Sequence, residues 1–285
     1  MIAVTGATGT VGRELVRLLV QRGARVRVLT RDVRVAGLVF GPEVELAHAD
    51  LDRPDTLPAA LVGAEQAFLL SPATSGQVTR ERHLVAAAAA AGVRRVVKSS
   101  VFRASMVSKL RLAIQHGRIE EMITRSDVEW TFLRPTFFMQ NLTGQILNGV
   151  ICSAAEDGRV AMIDARDVAT AAATVLTTSG HSGRTYTLTG PRAVTFDQVA
   201  ELVSAAGGAG CVHSRIAPEG VRTAMLQSGA ESWFAFDMAR LHTMLAAGYE
   251  DLVTEDMPHV IGDEGRDISS FVQDALTTPV PLGVC

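Results

Sequence analysis

The chain has 285 residues, of which 47% are apolar and 20% are charged, and its formal net charge is −3. This composition excludes a disordered or fibrous protein, and the weak acidic charge gives no indication of a nucleic acid or an anionic membrane as partner. Lys98 and Lys109 are the only lysines, and Tyr186 and Tyr249 are the only tyrosines. Any chemistry that needs tyrosine or lysine therefore has two candidates of each type.

The three cysteines, Cys152, Cys211 and Cys285, are far apart in the chain, which favours neither a disulfide framework nor a paired-cysteine metal site. The seven histidines lack the spacing of metal ligands, so we expect no bound metal. The N-terminus leads directly into an apolar run without a basic region or a cleavable segment, and no apolar run is long enough to span a membrane. We therefore predict a cytoplasmic protein without a membrane partner.

The first half of the chain alternates short apolar runs with amphipathic patterns of helical period. Strands are predicted at 2–5, 26–29, 44–47, 66–70, 95–99 and 129–133, and helices at 12–23, 55–61, 80–91 and 114–125. Repeated strand–helix units of this size predict a parallel sheet with helices on both faces. The expected fold is therefore α/β, a Rossmann-type doubly wound parallel sheet.

The second half is less regular. Strands are predicted at 160–163 and 185–188, and helices at 164–177, 199–206, 218–229, 233–247 and 268–276. The segment Thr195-Phe-Asp-Gln198 has the pattern of a capping box that begins the helix at 199–206. We predict that residues 1–135 form a dinucleotide-binding core to which residues 160–190 return. Residues 136–159 and 191–285 are predicted to form a smaller, mostly helical substrate-binding lobe.

A glycine-rich loop, Thr5-Gly-Ala-Thr-Gly-Thr-Val-Gly12, joins the first predicted strand to the first helix. In this context Gly6 permits a tight turn, Gly9 lets the backbone approach a pyrophosphate, and Gly12 allows close helix–strand packing. The helix N-terminus offers free N–H groups to the phosphates. The alternative is a glycine-rich turn that binds nothing. The other predicted cofactor contacts of this loop are Thr8, Thr10 and Val11.

The end of the second strand bears on which nicotinamide cofactor would bind. Arg31 could pair with the 2′-phosphate of NADPH, whereas Asp32 could bind the ribose 2′-hydroxyl of NADH. Because the arginine comes first, we predict NADPH, with NADH as the alternative. Leu70, Ser71 and Pro72 end the fourth strand, at the sheet edge where a dinucleotide would lie.

The glycine spacing, with Thr5 in front, resembles that of the short-chain dehydrogenase/reductase superfamily, but the usual catalytic pair of that superfamily, Tyr-x-x-x-Lys, is absent from the chain. Tyr186 is followed four residues later by Gly190, and Tyr249 by Val253. A mechanism in which that tyrosine protonates a developing alkoxide is therefore excluded in its usual form.

The glycine loop occurs together with two further runs, Val96-Val-Lys-Ser-Ser100 and Glu129-Trp-Thr-Phe-Leu-Arg-Pro-Thr-Phe-Phe-Met-Gln-Asn141. With the helix that carries His116, Ile119 and Glu120 between them, these segments resemble the NmrA-like family. This family belongs to the atypical short-chain dehydrogenases/reductases and includes bacterial quinone reductases and plant isoflavone reductases. The resemblance extends to about residue 206 and implies NAD(P) binding and reductase activity.

The resemblance also implies roles for individual residues. Ser100 holds the place of the catalytic serine of the superfamily, and His116 holds a place where relatives carry histidine or a catalytic lysine. Asn141, the third predicted catalytic residue, would border the nicotinamide. The simpler alternatives are that Ser100 caps the strand end and that His116 faces solvent on its helix.

Further contacts follow from the same resemblance and from the aromatic residues of the predicted lobe. The cofactor contacts are Asp50 and Leu51 at the adenine, Phe138 at the nicotinamide, and Lys98 and Ser99 at the end of the fifth strand. The substrate contacts are Phe137, Phe102 and Trp233. The alternative for Phe137 and Phe138 is packing, and Asp52 is interpreted as a helix cap.

The absence of the Tyr-Lys pair narrows the chemistry. Hydride addition to an isolated ketone creates a strongly basic alkoxide, whereas addition to a quinone creates a phenolate whose conjugate acid has a pKa of about 10. Such a product needs little acid assistance. We predict an NADPH-dependent reductase of a quinone-like or other conjugated aromatic small molecule, acting as a monomer or homodimer. The alternative is a non-catalytic NAD(P)-binding redox sensor of the NmrA type.

Overall fold

The computed structural model describes residues 1–207 and 210–277, so Cys285 lies outside the described residues. The strands in these residues are β1 (Ile2–Val4), β2 (Val26–Thr30), β3 (Glu45–His48), β4 (Gln66–Leu69), β5 (Arg95–Ser99), β6 (Glu129–Pro135), β7 (Val150–Ser153), β8 (Arg184–Leu188) and β9 (Val212–Arg215).

The described helices alternate with these strands in the first half of the chain and predominate in the second. They are α1 (Thr10–Gln21), α2 (Val33–Val39), α3 (Leu57–Leu61), α4 (Gln77–Ala90), α5 (Arg111–Thr124), α6 (Thr143–Leu147), α7 (Ala165–Thr177), α8 (Phe196–Gly207), α9 (Pro218–Gln227), α10 (Ser232–Ala246), α11 (Asp256–Ile261) and α12 (Ile268–Thr277). Short 3-10 helices lie at Pro54–Thr56 and Met139–Leu142. None of the described helices combines the length and apolarity needed to cross a membrane.

Seven strands form one sheet in the order β3-β2-β1-β4-β5-β6-β8. β1 is an interior strand, since Ile2 pairs in parallel with Val26 of β2 on one side and with Gln66 of β4 on the other. The strand order reverses at this point, and in doubly wound sheets a ligand binds outside the carboxyl ends of the strands at such a reversal. The predicted Rossmann-type α/β fold with a helical C-terminal part is confirmed.

The chain divides into two units. The first unit comprises Met1–Arg134 and Arg166–Thr187, and the second comprises Pro135–Ala165 and the chain from Leu188 onward. Every residue of β1 and β5 is buried, as expected for the middle of a parallel sheet covered on both faces. The core of the first unit forms where leucines of α3 and α4 and isoleucines of α5 pack with these strands.

The second unit has its own apolar core around Phe196 and a small parallel sheet of β7 and β9. The sequence patterns did not reveal these two strands, because neither alternates regularly between buried and exposed residues and both are half exposed. The strand predicted at 160–163 is wrong, since Val160 and Ile163 make only isolated bridges. The capping box is confirmed: the Thr195 N–H donates to Gln198 Oε1 at 3.0 Å, and the Gln198 N–H donates to Thr195 Oγ1 at 3.1 Å.

Candidate functional site

The glycine loop lies at the carboxyl end of β1 and is tied to β4 by Thr5. The Thr5 hydroxyl oxygen accepts the Leu70 N–H at 3.0 Å, and the hydroxyl lies 3.0 Å from the Leu70 carbonyl oxygen. Gly6 has a φ of +64°, and a Cβ there would lie 2.8 Å from that carbonyl oxygen. Only glycine is free of both the backbone strain and the close approach.

The other two glycines of the loop differ in what surrounds them. A Cβ on Gly12 would lie 2.1 Å from the Gly6 carbonyl oxygen, so Gly12 is needed because helix α1 packs against the loop itself, not against a strand as predicted. A Cβ on Gly9 would meet nothing closer than 3.4 Å. The fold itself thus leaves space beside Gly9, at the N-terminus of α1 whose first N–H groups lack helical acceptors. A pyrophosphate fits this arrangement.

A cleft lies at the carboxyl ends of β1, β2 and β4, where the strand order reverses. It brings together eight of the residues predicted to contact a cofactor: Gly6, Thr8, Arg31, Asp50, Leu51, Leu70, Ser71 and Pro72. Gly9, Thr10, Val11 and Gly12 form the cap and the first turn of α1 next to this loop. Within the described residues, no group of three or more histidine, cysteine, aspartate or glutamate side chains could hold a metal ion.

Arg31 and Asp32 have different environments at the end of β2. The Asp32 carboxylate caps helix α2, since its Oδ1 accepts the N–H groups of Arg34 and Val35 at 2.9 and 3.1 Å. Arg31 is exposed and lines the cleft. The carboxylate is therefore already used by the fold, whereas Arg31 lines the space in which a ligand would bind.

The end of β3 and helix α4 provide a cleft residue that the sequence patterns did not reveal. Arg80 lines the cleft, and its guanidinium is held by Asp52 Oδ1 at 2.8 Å and by Thr74 Oγ1 at 2.7 Å. Asp52 is thus an ion-pair partner rather than the helix cap that we expected, and the Arg80 guanidinium lowers the pKa of its carboxyl. The predicted adenine contacts, Asp50 and Leu51, line the same cleft.

A buried polar network surrounds Lys98 of β5. Its ammonium lies 2.9 Å from Glu81 Oε2, and both side chains are completely buried. Glu81 Oε1 also accepts the Ser71 hydroxyl at 2.7 Å and an N–H of the Gln77 amide at 3.2 Å. Lys98 also donates to the carbonyl oxygen of Ser99 at 2.6 Å. Lys98 and Ser99 are thus buried and do not line the cleft. Ser71 is the residue of this network that lines it.

His116 belongs to the same network and does not face solvent, contrary to the simpler alternative. Its Nε2 lies 3.3 Å from the Gln77 amide nitrogen, and the residue is 5% exposed. Burial, reinforced by the Lys98 ammonium, holds the pKa of the imidazole well below its usual range, so the ring is neutral. Its Nδ1 is buried and has no hydrogen-bond partner among the described residues.

Ser100, at the end of β5, is held by a second charged group. Its hydroxyl donates to Glu120 Oε1 at 2.5 Å, and Arg134 donates to both carboxylate oxygens, to Oε1 from Nε at 3.0 Å. Glu120 follows His116 by one helical turn on α5. The hydroxyl proton of Ser100 is therefore committed within the protein, and its oxygen keeps a lone pair for a further donor.

The remaining predicted site residues have these surroundings. Phe102, in the first unit, is 6% exposed, and the Arg103 guanidinium lies 4.9 Å from its ring centroid. In the second unit the Phe137 ring packs edge-on against that of Phe196, with ring centroids 6.1 Å apart, and Phe138 forms an isolated bridge with Ile163. Asn141 is exposed on a 3-10 helix. The Trp233 indole N–H donates to Glu231 Oε2 at 2.8 Å. Their cofactor and substrate contacts stay predictions.

Comparison with known proteins places this geometry in a family. The model of the NmrA-like family matches residues 1–242. The chain is 35% identical to an NAD(P)H azoreductase of Xenophilus azovorans over 277 residues, which cover 96% of this chain and 97% of the relative. It is 33% identical to quinone oxidoreductase 2 of Escherichia coli over 215 residues, covering 73% and 75%.

A solved structure of a reductase is also similar to this chain. The triphenylmethane reductase of Citrobacter sp., complexed with NADP(H), superposes with a TM-score of 0.86 at 27% identity and covers 97% of this chain and 100% of that one. The names of the three relatives refer to different substrates, namely azo compounds, quinones and triphenylmethane dyes. All three are named as reductases or oxidoreductases, and the triphenylmethane reductase structure contains NADP(H).

Proposed function

The chain belongs to the NmrA-like family, and on this basis we propose that it is an NADPH-dependent reductase of quinone-like or other conjugated aromatic small molecules. Relatives named as an azoreductase and a quinone oxidoreductase support an oxidoreductase. The observation that carries the proposal is the cleft at the strand-order reversal, which Arg31 lines while Asp32 is used as a helix cap.

The residues of the cleft fit a phosphorylated dinucleotide. The glycine loop and the N-terminus of α1 would hold the pyrophosphate, and Arg31 would pair with the 2′-phosphate through its planar fork. Asp50 and Leu51 would contact the adenine. When bound there, NADPH supplies the hydride. NADH lacks the phosphate that Arg31 would bind, and for this reason we expect it to be the poorer cofactor.

The protein itself then has to orient the acceptor and stabilise the charge that the hydride brings. Reduction of a quinone or an azo bond adds two electrons and two protons, the first proton with the hydride and the second from water. The anion formed between these steps is delocalised over a conjugated system, so it needs no tyrosine as a strong acid. Ser100, His116 and Asn141 are the proposed catalytic residues, and positioning accounts for most of the rate.

The test is NADPH oxidation by the purified protein with a panel of quinones, azo dyes and triphenylmethane dyes. We expect turnover with at least one class and a preference for NADPH over NADH. A Gly9→Asp variant tests whether turnover depends on the pyrophosphate site without disturbing the fold. The fold leaves room for a side chain at this position and aspartate is a good helix cap, but its carboxylate repels a pyrophosphate. It should fold and lose turnover.

The alternative function, a redox sensor, gives a different result in the same experiment. A sensor binds NADPH, as measured by calorimetry, and oxidises it with no member of the panel. That outcome would replace the reductase by the sensor. Failure of both binding and turnover would contradict the proposed cofactor site. A cytoplasmic location and a monomeric or homodimeric state remain predictions.

A further inference from the structure

The buried network at Lys98 determines how the amide of Gln77 is oriented. The Gln77 amide nitrogen lies 3.2 Å from Glu81 Oε1 and 3.3 Å from His116 Nε2, so the same group meets both partners. A carboxylate paired with a lysine is ionised and can only accept hydrogen bonds, so the Gln77 amide must present its NH₂ group to it. The opposite orientation would place the amide oxygen against the carboxylate oxygen, which is repulsive.

The orientation of the amide in turn determines the tautomer of His116. The NH₂ group has two hydrogen atoms, of which one is donated to Glu81 and the other points to His116 Nε2. Nε2 must therefore be the unprotonated, accepting nitrogen. Because burial and the Lys98 ammonium keep the ring neutral by lowering its pKa, its one proton lies on Nδ1.

The proton on Nδ1 has no acceptor among the described residues, although the atom is buried. A buried N–H without an acceptor costs about 1–3 kcal/mol, so such a group in a native protein needs an explanation. Ser71 shares Glu81 Oε1 with Gln77 and lines the cleft, so the network connects the ligand site with His116. His116 does not itself line the cleft, so an acceptor atom of a ligand would satisfy this donor only once binding exposes it.

We propose that Gln77, oriented by the buried Glu81–Lys98 pair, is a positioning residue that holds His116 as the tautomer with its proton on Nδ1. Once substrate binding exposes this buried atom, the proton can be donated to an acceptor oxygen or nitrogen of the substrate. The last step rests on the proposed reductase function, whereas the tautomer does not. The imidazole acts as a neutral hydrogen-bond donor to the anion formed by hydride addition. No proton leaves the ring in this role, and the second proton of the reduction comes from water.

The tautomer can be measured directly by long-range ¹H–¹⁵N spectroscopy of the whole protein, which separates protonated from unprotonated imidazole nitrogens. The His116 signals are assigned by their loss in a His116→Asn variant. We expect an unprotonated Nε2 and a protonated Nδ1. The Gln77→Met variant keeps the shape of the side chain without its N–H groups, and in it the proton should redistribute to Nε2. A protonated Nε2 in the original protein, or an unchanged spectrum in Gln77→Met, would overturn the proposal.

The matched control is Gln115→Met. Gln115 is also a buried glutamine and precedes His116 on α5, but its amide donates to the Thr74 carbonyl oxygen at 3.1 Å instead of to the imidazole. We expect its His116 spectrum to be that of the original protein.

Kinetics test the catalytic part of the proposal. Loss of one donor to a developing charge should lower kcat about 100-fold in Gln77→Met, with the KM for NADPH unchanged, and Gln115→Met should retain most of the rate. If the tautomer is as expected while no acceptor is reduced, the reductase function fails and the positioning role of Gln77 stands. If turnover is normal in Gln77→Met although the proton has moved, His116 is not the donor.

Discussion

Replacing Arg31 by alanine should change the choice of cofactor without changing the fold. A charge-assisted hydrogen bond contributes about 1.5–3 kcal/mol. Because Arg31 is exposed, water screens its charge, and the lower end of this range applies. About 1.4 kcal/mol corresponds to a factor of ten in affinity. We therefore expect the Kd for NADPH to rise about 10-fold in Arg31→Ala, while the Kd for NADH stays the same.

Asp32→Asn is the matched control for this experiment. The asparagine oxygen can still accept the N–H groups of Arg34 and Val35, so helix α2 keeps its cap while the charge is lost. Titration calorimetry with both cofactors gives the affinities independently of turnover. The reasoning is refuted if Arg31→Ala weakens NADH as much as NADPH, or if Asp32→Asn changes the preference between them.

Two further predictions concern the buried charges and the stability of the fold. Lys98→Met leaves the Glu81 carboxylate buried without its cation and should lower the free energy of unfolding by about 3–5 kcal/mol. Adding Glu81→Gln to this variant should recover most of the loss. Equal denaturant midpoints for the single and double variants would contradict this reasoning. Burial lowers the pKa of His242 from 6.5 to about 4, so the stability it contributes is fully present above pH 6.5 and is lost as the pH falls towards 4. At about 1.4 kcal/mol per pH unit, the loss is about 3 kcal/mol. His242→Asn, which still accepts the Ala154 N–H, should abolish that part of the acid dependence in unfolding curves measured across this range; an unchanged acid limb would refute it.

The sheet and the glycine loop could be predicted because their signals are local. The strands of the first half are short, continuous apolar runs, and in the structure they lie within about two residues of the predicted positions. The capping box at Thr195 is also local, since its partners are three residues apart. By contrast, β7 and β9 are half exposed and their paired residues lie 62 positions apart in the chain, so neither strand has a pattern that marks it.

The candidate site was only partly predictable, because helix α4 begins one turn earlier than its amphipathic pattern indicated. The prediction began at Arg80, and the structure begins the helix at Gln77. That turn places Gln77 and Glu81 four residues apart on one buried face, where they meet Lys98. A glutamate on the apolar side of a helix was the available signal for this network.

The sequence by itself determined the fold class, the position of the glycine-rich loop and the absence of a Tyr-x-x-x-Lys pair, because these depend on residue types at short spacings. Only the tertiary structure decided that Asp32 caps a helix while Arg31 lines the cleft, and that Lys98 is buried in an ion pair. The surroundings of His116 were likewise decided by the tertiary structure, since its partner Gln77 lies 39 residues away in the chain. Protonation and hydrogen bonding depend on burial and on partners from distant segments, and no local pattern records either.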